Sequence, residues 1–243
     1  MLICGLQKTT LLDFPGHVAA TIFTGGCNFR CPFCHNGDLL TPDSFPPEQI
    51  FSEKEVLDFL QKRKTVLDGV CLTGGEPTLQ PDLPDFIRRI KSLGLLVKLD
   101  TNGSRPDVLR SLLDERLPDY IAMDIKSSPK GYEQAAGIKF FRDDRKENAG
   151  LCPADIDESI RLLRNADVPY EFRTTVVREL HREEDFLAIG KWLAGARAYF
   201  LQSYRDSEQV PERRFSSYKK EEMEHFRRLL LPFIPSASLR GVD

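Results

Sequence analysis

The chain has 243 residues, of which 41% are hydrophobic and 29% charged, with a formal net charge of −3. This length suits one large domain or two small ones, and the apolar content can bury a core without disulfide staples. A mixed, near-neutral surface argues against nucleic acid as a partner, and no stretch reaches the roughly 18 apolar residues of a membrane helix. The N-terminal MLICGLQKTTLLDFPG is interrupted by Lys8 and Asp13, and no small-residue cleavage site follows it. We therefore expect no signal peptide, no membrane association and a cytoplasmic setting, where thiols stay reduced. The six cysteines then need an explanation other than a disulfide framework. Three lie within the eight residues Cys27 to Cys34. Cys4, Cys71 and Cys152 are scattered and read as small buried hydrophobes.

In chain order, residues 1–16 read as a short extension and Val18–Thr24 as the first β-rich run. The long connection Gly25–Pro47 carries the cysteines. Ser52-Glu53-Lys54-Glu55 is a capping box opening a helix with Val56, Leu57, Phe59 and Leu60 inward. Val70–Thr73 is the second strand. Asp82–Leu93 is a helix with Phe86, Ile87 and Ile90 on one face, ended by Gly94. Strand Leu95–Asp100, helix Arg105–Leu113 and strand Tyr120–Ile125 follow. Beyond the second long connection, Lys126–Pro153, come helix Asp155–Asn165, strand Tyr170–Val177, helix Glu183–Ala194, strand Ala198–Tyr204 and helix Ser217–Leu230. Asp155 and Ser217 are the expected caps of their helices. Segment 232–243 reads as a tail. The mixed charges of Glu212–Arg228 read as a solvated helical face. Gly131, Gly137 and Gly150 suit a gating role for the second long connection.

Six strands alternating with helices predict parallel βαβ units in one domain, 1–243, with its core at about 17–231. A full eight-unit barrel takes about 250 residues, so six units with two long connections fit better. The sheet is either doubly wound or a partial barrel. In both, reactive groups belong at the carboxyl ends of the strands, and the sequence puts them there. The first strand runs into the cysteines, the second into Gly74-Gly75-Glu76-Pro77, and the third into Asp100-Thr101-Asn102-Gly103. The fourth ends in Asp124-Ile125-Lys126, the fifth contains Arg173-Thr174-Thr175, and the sixth ends in Gln202-Ser203-Tyr204-Arg205.

The cysteine segment is Cys27-Asn28-Phe29-Arg30-Cys31-Pro32-Phe33-Cys34-His35. Zinc would use Cys27, Cys31, Cys34 and His35, but adjacent Cys34 and His35 are strained as ligands of one ion. Cys31-Pro32-Phe33-Cys34-His35 matches the haem attachment pattern, which belongs to exported proteins. A cubane iron–sulfur cluster normally takes four thiolates. Three would leave one iron open, as a catalytic metal site requires.

The C-x3-C-x2-C spacing, with Phe33 before the last cysteine, resembles the signature of radical S-adenosylmethionine (SAM) enzymes. Gly74-Gly75-Glu76-Pro77 resembles their SAM-amino-group motif. The run from Gly5 to Gly16, the Cys-His-Asn ending, Asp100-Thr101-Asn102-Gly103 and Asp124-Ile125-Lys126 further resemble the activases of glycyl radical enzymes. These include activators of anaerobic ribonucleoside-triphosphate reductase and of pyruvate formate-lyase. Arg205 departs from the formate-lyase type, which tends to carry His there, and no ferredoxin insert follows Cys34. The resemblance implies a partial (β/α)6 TIM-like barrel of parallel strands with outer helices. It implies a [4Fe-4S] cluster on Cys27, Cys31 and Cys34 with one iron open to SAM. It also implies a glycyl radical enzyme as protein substrate and a flavodoxin- or ferredoxin-type electron donor. The expected SAM contacts are Gly74, Gly75 and the Glu76 region for the ammonium, and Lys126 and Arg173 for the carboxylate. Phe33 could stack on adenine; Asp100, Asp124 and Thr101 could bind the ribose or pair with Lys126, and Asn102 could bind ribose or backbone. Asp100 and Asp124 could instead hold a hard cation. Arg173 could pair with Glu171 or Asp124.

Overall fold

The computed structural model describes residues 1–41, 46–139 and 152–242. The chain forms two compact units, each from non-contiguous segments. The first comprises 1–28, 38–122 and 166–169, and the second 29–37, 123–165 and 170–243.

In the first unit, strand β1 (Ile3–Thr10) runs antiparallel to β2 (Ala19–Thr24). Strand β3 (Gly69–Gly74) lies parallel to β2, from Ala19 opposite Gly69 to Thr24 opposite Gly74. Strand β4 (Leu96–Thr101) lies parallel to β3. Helices α1 (Glu53–Arg63), α2 (Leu83–Ser92) and α3 (Pro106–Asp114) alternate with the strands. The capping box of α1 is present: Ser52 Oγ accepts from Glu55 N–H at 3.2 Å and Glu55 Oε2 accepts from Ser52 N–H at 2.8 Å. Two orphan donors of the first turn are thereby satisfied. Helix α2 buries Leu83, Phe86, Ile87 and Ile90 in one stripe, each contributing about 1.5–3 kcal/mol of transfer free energy before entropy is counted. It stops at Gly94, whose φ of +83° is one that side-chain-bearing residues rarely adopt.

Strand β5 (Tyr120–Asp124) is divided between the units. On the first unit's side, Asp119 N–H donates to Val97 O at 2.7 Å and Ile121 N–H to Pro169 O at 3.0 Å. On the second unit's side, Ile125 N–H donates to Arg173 O at 2.7 Å. The second unit continues with parallel strands β6 (Tyr170–Val176), β7 (Tyr199–Ser203) and β8 (Ala237–Arg240). Helices α4 (Tyr132–Ala136), α5 (Pro153–Asn165), α6 (Glu183–Trp192) and α7 (Lys220–Leu230) belong to it. Phe186 of α6 stacks on Phe226 of α7 at 4.4 Å between ring centroids. Strand order follows chain order from β1 to β8.

The six expected strands are present to within a residue or so, and two more flank them. The extension carries β1, whose burial does not alternate along its length. The tail carries β8, whose four residues are too few to show a period. Ser217 does not cap α7, because the helix begins at Lys220 with Lys219 at its N-cap. Asp155 lies inside α5 and reaches back to accept from Cys152 N–H at 2.9 Å. Cys71 is buried, but Cys4 and Cys152 are only half-buried. The connection after Lys126 contains α4, while Gly150 lies outside the described residues. No described helix is long and apolar enough to cross a membrane.

Candidate functional site

In the first unit the turn after β3 lies against the segment leading to Cys27. A Cβ on Gly75 would stand 2.0 Å from Gly26 O, and one on Gly74 would stand 2.4 Å from Thr24 N. Gly74 also has φ +114°, so both positions need glycine, one of them twice over. The approach is stitched by Gly75 N–H to Thr24 O and Glu76 N–H to Gly26 O, both at 2.8 Å.

The Glu76 carboxylate was an expected acceptor for a ligand ammonium. In the structure its two oxygens accept from neighbouring residues. Oε1 accepts from Thr78 N–H at 3.1 Å, Thr78 Oγ1 at 2.5 Å and Thr101 Oγ1 at 2.7 Å. Oε2 accepts from Asn102 N–H at 2.6 Å. Burial pushes this carboxyl above its ordinary value, and the four hydrogen bonds offset only part of that push. Glu76 thus staples the β3 turn to the end of β4.

Asn102, expected on a ribose, lends its side chain to the cysteine segment. Its Nδ2 donates to Asn28 Oδ1 at 2.9 Å and approaches Cys27 Sγ at 3.9 Å. Its Oδ1 accepts from Ser104 N–H at 2.9 Å, and Asn28 Nδ2 donates to Ser104 Oγ at 2.8 Å. Sequence reasoning passed over Asn28 and Ser104, which carry no signal apart from their position beside the motifs. It also passed over Lys98. This lysine is only 2% exposed and pairs with Asp100 two residues along the same strand.

In the second unit Cys31 and Phe33 are buried and Cys34 is half-buried. Their loop turns through Cys34 N–H to Cys31 O at 3.1 Å and is gripped by main chain on both flanks. On one flank Arg30 N–H donates to Ala136 O at 2.9 Å, and a Cβ on Gly137 would meet Arg30 O at 1.9 Å. On the other, Glu212 N–H donates to Pro32 O at 3.1 Å, and a Cβ on Gly37 would meet Gln209 O at 2.0 Å. Phe33 meets His181 and Phe215 edge-on, with centroids 6.5 and 6.4 Å away. His35 stacks on Tyr204 at 5.7 Å.

Beside this loop Asp124 binds two cations. Its Oδ1 accepts from Arg173 Nε at 2.9 Å and its Oδ2 from Lys126 Nζ at 3.0 Å. Burial pushes the Asp124 carboxyl up, but Arg173 and Lys126 outweigh it and hold the group at about 2. Burial likewise disfavours the Lys126 cation, and Asp124, Cys31 and Cys34 together hold it well above the usual lysine range. Burial raises the Cys34 thiol, with Lys126 pulling the other way. His181, buried and held below its ordinary value by that burial, accepts from Val177 N–H at Nδ1, 3.0 Å. Its Nε2–H therefore donates to Lys126 O at 2.8 Å, a tautomer assigned from the hydrogen-bond pattern. Of the partners expected for Arg173, Asp124 is in contact. Glu171 instead takes Arg240 through two bonds of 2.5 and 2.7 Å.

The hard cation expected near Asp100 and Asp124 is not supported. Asp100 is paired with Lys98, and Asp124 with Lys126 and Arg173. Among the described residues no three His, Cys, Asp or Glu side chains are grouped to hold one ion.

A mostly parallel α/β sheet with its reactive residues at the carboxyl ends of the strands has the plan of a barrel-type enzyme. The model of the Radical SAM superfamily matches residues 21–192. The chain belongs to that superfamily. It is 30% identical over its whole length, and over 97% of the relative's, to a protein of Methanocaldococcus jannaschii that bears the provisional name glycyl-radical enzyme activating enzyme. It is 31% identical to the pyruvate formate-lyase-activating enzyme of Clostridium pasteurianum over 67% of this chain and 74% of that one. Among solved structures it is similar to SuiB of Streptococcus suis. The SAM-bound form has TM-score 0.66 and 12% identity, covering 89% of this chain and 48% of SuiB. The form bound to precursor peptide SuiA has TM-score 0.68 and 11% identity, covering 91% and 48%. The chain thus spans about half of SuiB, and the likeness is one of fold.

Membership implies an iron–sulfur cluster and SAM as cofactors. The residues present fit them. A cluster takes thiolates, and the Lys126 ammonium interacts electrostatically with both Cys31 and Cys34, opposing the burial that raises the Cys34 thiol. The side-chain-free turn at Gly74 and Gly75 permits close approach of main chain to a ligand.

Proposed function

We propose that this radical SAM enzyme installs a glycyl radical on a partner enzyme, with anaerobic ribonucleoside-triphosphate reductase as the first candidate. What supports this reading is the full-length match to a protein named as such an activase. It spans both units and is seconded by the formate-lyase activase. On the motif, Cys27, Cys31 and Cys34 hold the cluster. When bound and reduced by a flavodoxin- or ferredoxin-type donor, that cluster would supply the electron for reductive cleavage of SAM, the chemistry needed to take hydrogen from the partner's glycine.

The chain's own groups bind, orient and exclude water. Main-chain carbonyls of the Gly74–Glu76 turn accept from the SAM ammonium, since the Glu76 carboxylate serves Thr78, Thr101 and Asn102. Lys126 and Arg173, held by Asp124, present positive charge to the SAM carboxylate. Asp100 serves the ribose, while Thr101 bonds Glu76. Phe33, packed edge-on by His181 and Phe215, walls the adenine side. Asn102 orients the loop at Cys27.

The test is anaerobic reconstitution followed by incubation with SAM, reductant and anaerobic ribonucleoside-triphosphate reductase. The expected result is a glycyl doublet in the electron paramagnetic resonance spectrum of the reductase. SAM turnover without a doublet on that or any other candidate partner would move the substrate to another protein, a peptide or a small molecule. The existence of a peptide-bound neighbour of this fold makes a peptide the next to try.

A further inference from the structure

Lys98 stands in the middle of β4, where an ammonium is out of place. It is 2% exposed, and a buried charge costs several kcal/mol unless it is paired. Its recorded partners are Asp100 and, at 3.7 Å, Cys71 Sγ. Cys71 is directly opposite in the β3–β4 register. The carboxylate of Asp100 forms the ion pair with this ammonium. Residues two apart on a strand share a face, which puts Lys98 one step deeper than Asp100 on the same side of β4. The carboxylate, 14% exposed, lies at the strand's carboxyl end with the ammonium behind it. Thr101 and Leu99 point to the other face, and Thr101 bonds Glu76.

We propose that Lys98 is the built-in counter-ion of Asp100, a positioning residue that keeps this carboxylate ionised and fixed in direction for the SAM ribose. Oxygen ligands at such a strand end suit a free cation, and here the tethered ammonium supplies the charge instead. Binding of SAM is then indifferent to which inorganic cation is present. The proposal rests on the assignment of Asp100 to SAM made above.

The test measures SAM affinity of the cluster-loaded protein by anaerobic equilibrium dialysis, alongside the thermal midpoint of the same samples. Asp100→Asn tests the underlying assignment and should weaken SAM binding at least tenfold; no weakening would remove Asp100 from the site. Lys98→Met should weaken binding about as much. The Lys98→Met/Asp100→Asn double variant should be little worse than either single variant, since both remove one unit. Lys98→Ala leaves room for a free amine, and n-propylammonium should restore a substantial part of the affinity where tetramethylammonium at equal ionic strength does not. Wild-type affinity should stay constant when sodium, potassium and choline are exchanged at fixed ionic strength.

Three results would overturn the proposal while Asp100→Asn still weakens binding. These are wild-type affinity that follows potassium or sodium, Lys98 variants that bind SAM as the wild type does, and lowered thermal midpoints with unchanged affinity. If Lys98→Ala fails to fold, Lys98→Met and Lys98→Arg carry the comparison. Arginine, which keeps the charge, should bind SAM better than methionine.

Discussion

The two units hold their site residues by different physics. The first works at close quarters and largely without formal ion pairs. Gly74 and Gly75 bring main chain against main chain, and one buried carboxylate, Glu76, collects four hydrogen bonds from the β3 and β4 ends. The second works with charge. Asp124 sits between Arg173 and Lys126, and a buried Glu171 is held by Arg240, whose guanidinium also lies 3.4 Å over the Phe200 ring. A glycine contact fails by steric overlap at whatever pH it is tested. An ion pair fails when one partner is removed or titrated. Among the site residues of the first unit described above, Lys98 and Asp100 form an ion pair.

That contrast orders the predictions. The largest effect is common to both units. Cys27→Ala, Cys31→Ala and Cys34→Ala should each abolish SAM cleavage, read as loss of cluster iron and of 5′-deoxyadenosine release. Cys71→Ala or Cys152→Ala should retain full iron content. Next is Arg240→Ala in the second unit. It removes the two bonds that Arg240 gives Glu171, whose side chain is 0% exposed, and should lower stability in denaturant unfolding, by at most about 3–5 kcal/mol. Glu171→Gln with Arg240→Met should recover much of that.

Gly75→Ala in the first unit should cost about 1–3 kcal/mol, the usual range for forced overpacking, and impair cluster loading because Gly26 must move. Gly94→Ala lies far from the motifs, and a Cβ there meets nothing within 4 Å. It should lower stability through its left-handed φ alone and leave cluster loading intact. Equal iron loss in both variants would sink the close-contact account.

The smallest effect is on pH dependence, and the two carboxylates should oppose each other. Glu76 is raised above its ordinary value of 4.5, so the folded state binds the extra proton. Its contribution to stability is present below 4.5 and is lost as pH rises through the folded value. Asp124 is lowered from 3.8 to about 2, so its contribution is present above 3.8 and is lost as pH falls toward 2. Thermal midpoints against pH should show a shallower acid limb in Asp124→Asn. They should show a shallower decline above pH 4.5 in Glu76→Gln. The same change of slope in both variants would contradict the assignment.

Much of this was legible in the chain before folding. Cysteine spacing, the Gly74-Gly75-Glu76-Pro77 turn and the Ser52/Glu55 cap are local patterns, and the βα alternation follows from periods of 2 and 3.6. Strand β1 escaped notice because its exposure does not alternate, with Gln7, Lys8 and Thr9 open and Gly5 packed beneath Phe23. The internal partners of Glu76, Asn102 and Arg173 were left open for a common reason. Their partners are 26, 74 and 49 residues away, and no local spacing encodes which of several polar groups will meet.

The sequence by itself determined the kind of chemistry, because three thiols within eight residues and a double-glycine turn are short-range facts that survive in any fold. Tertiary structure alone decided which charges compensate each other. Lys98 meets Asp100, Asp124 takes both Arg173 and Lys126, and Arg240 takes Glu171. The cost of leaving a charge unpaired is set by burial, and burial exists only once the strands have come together.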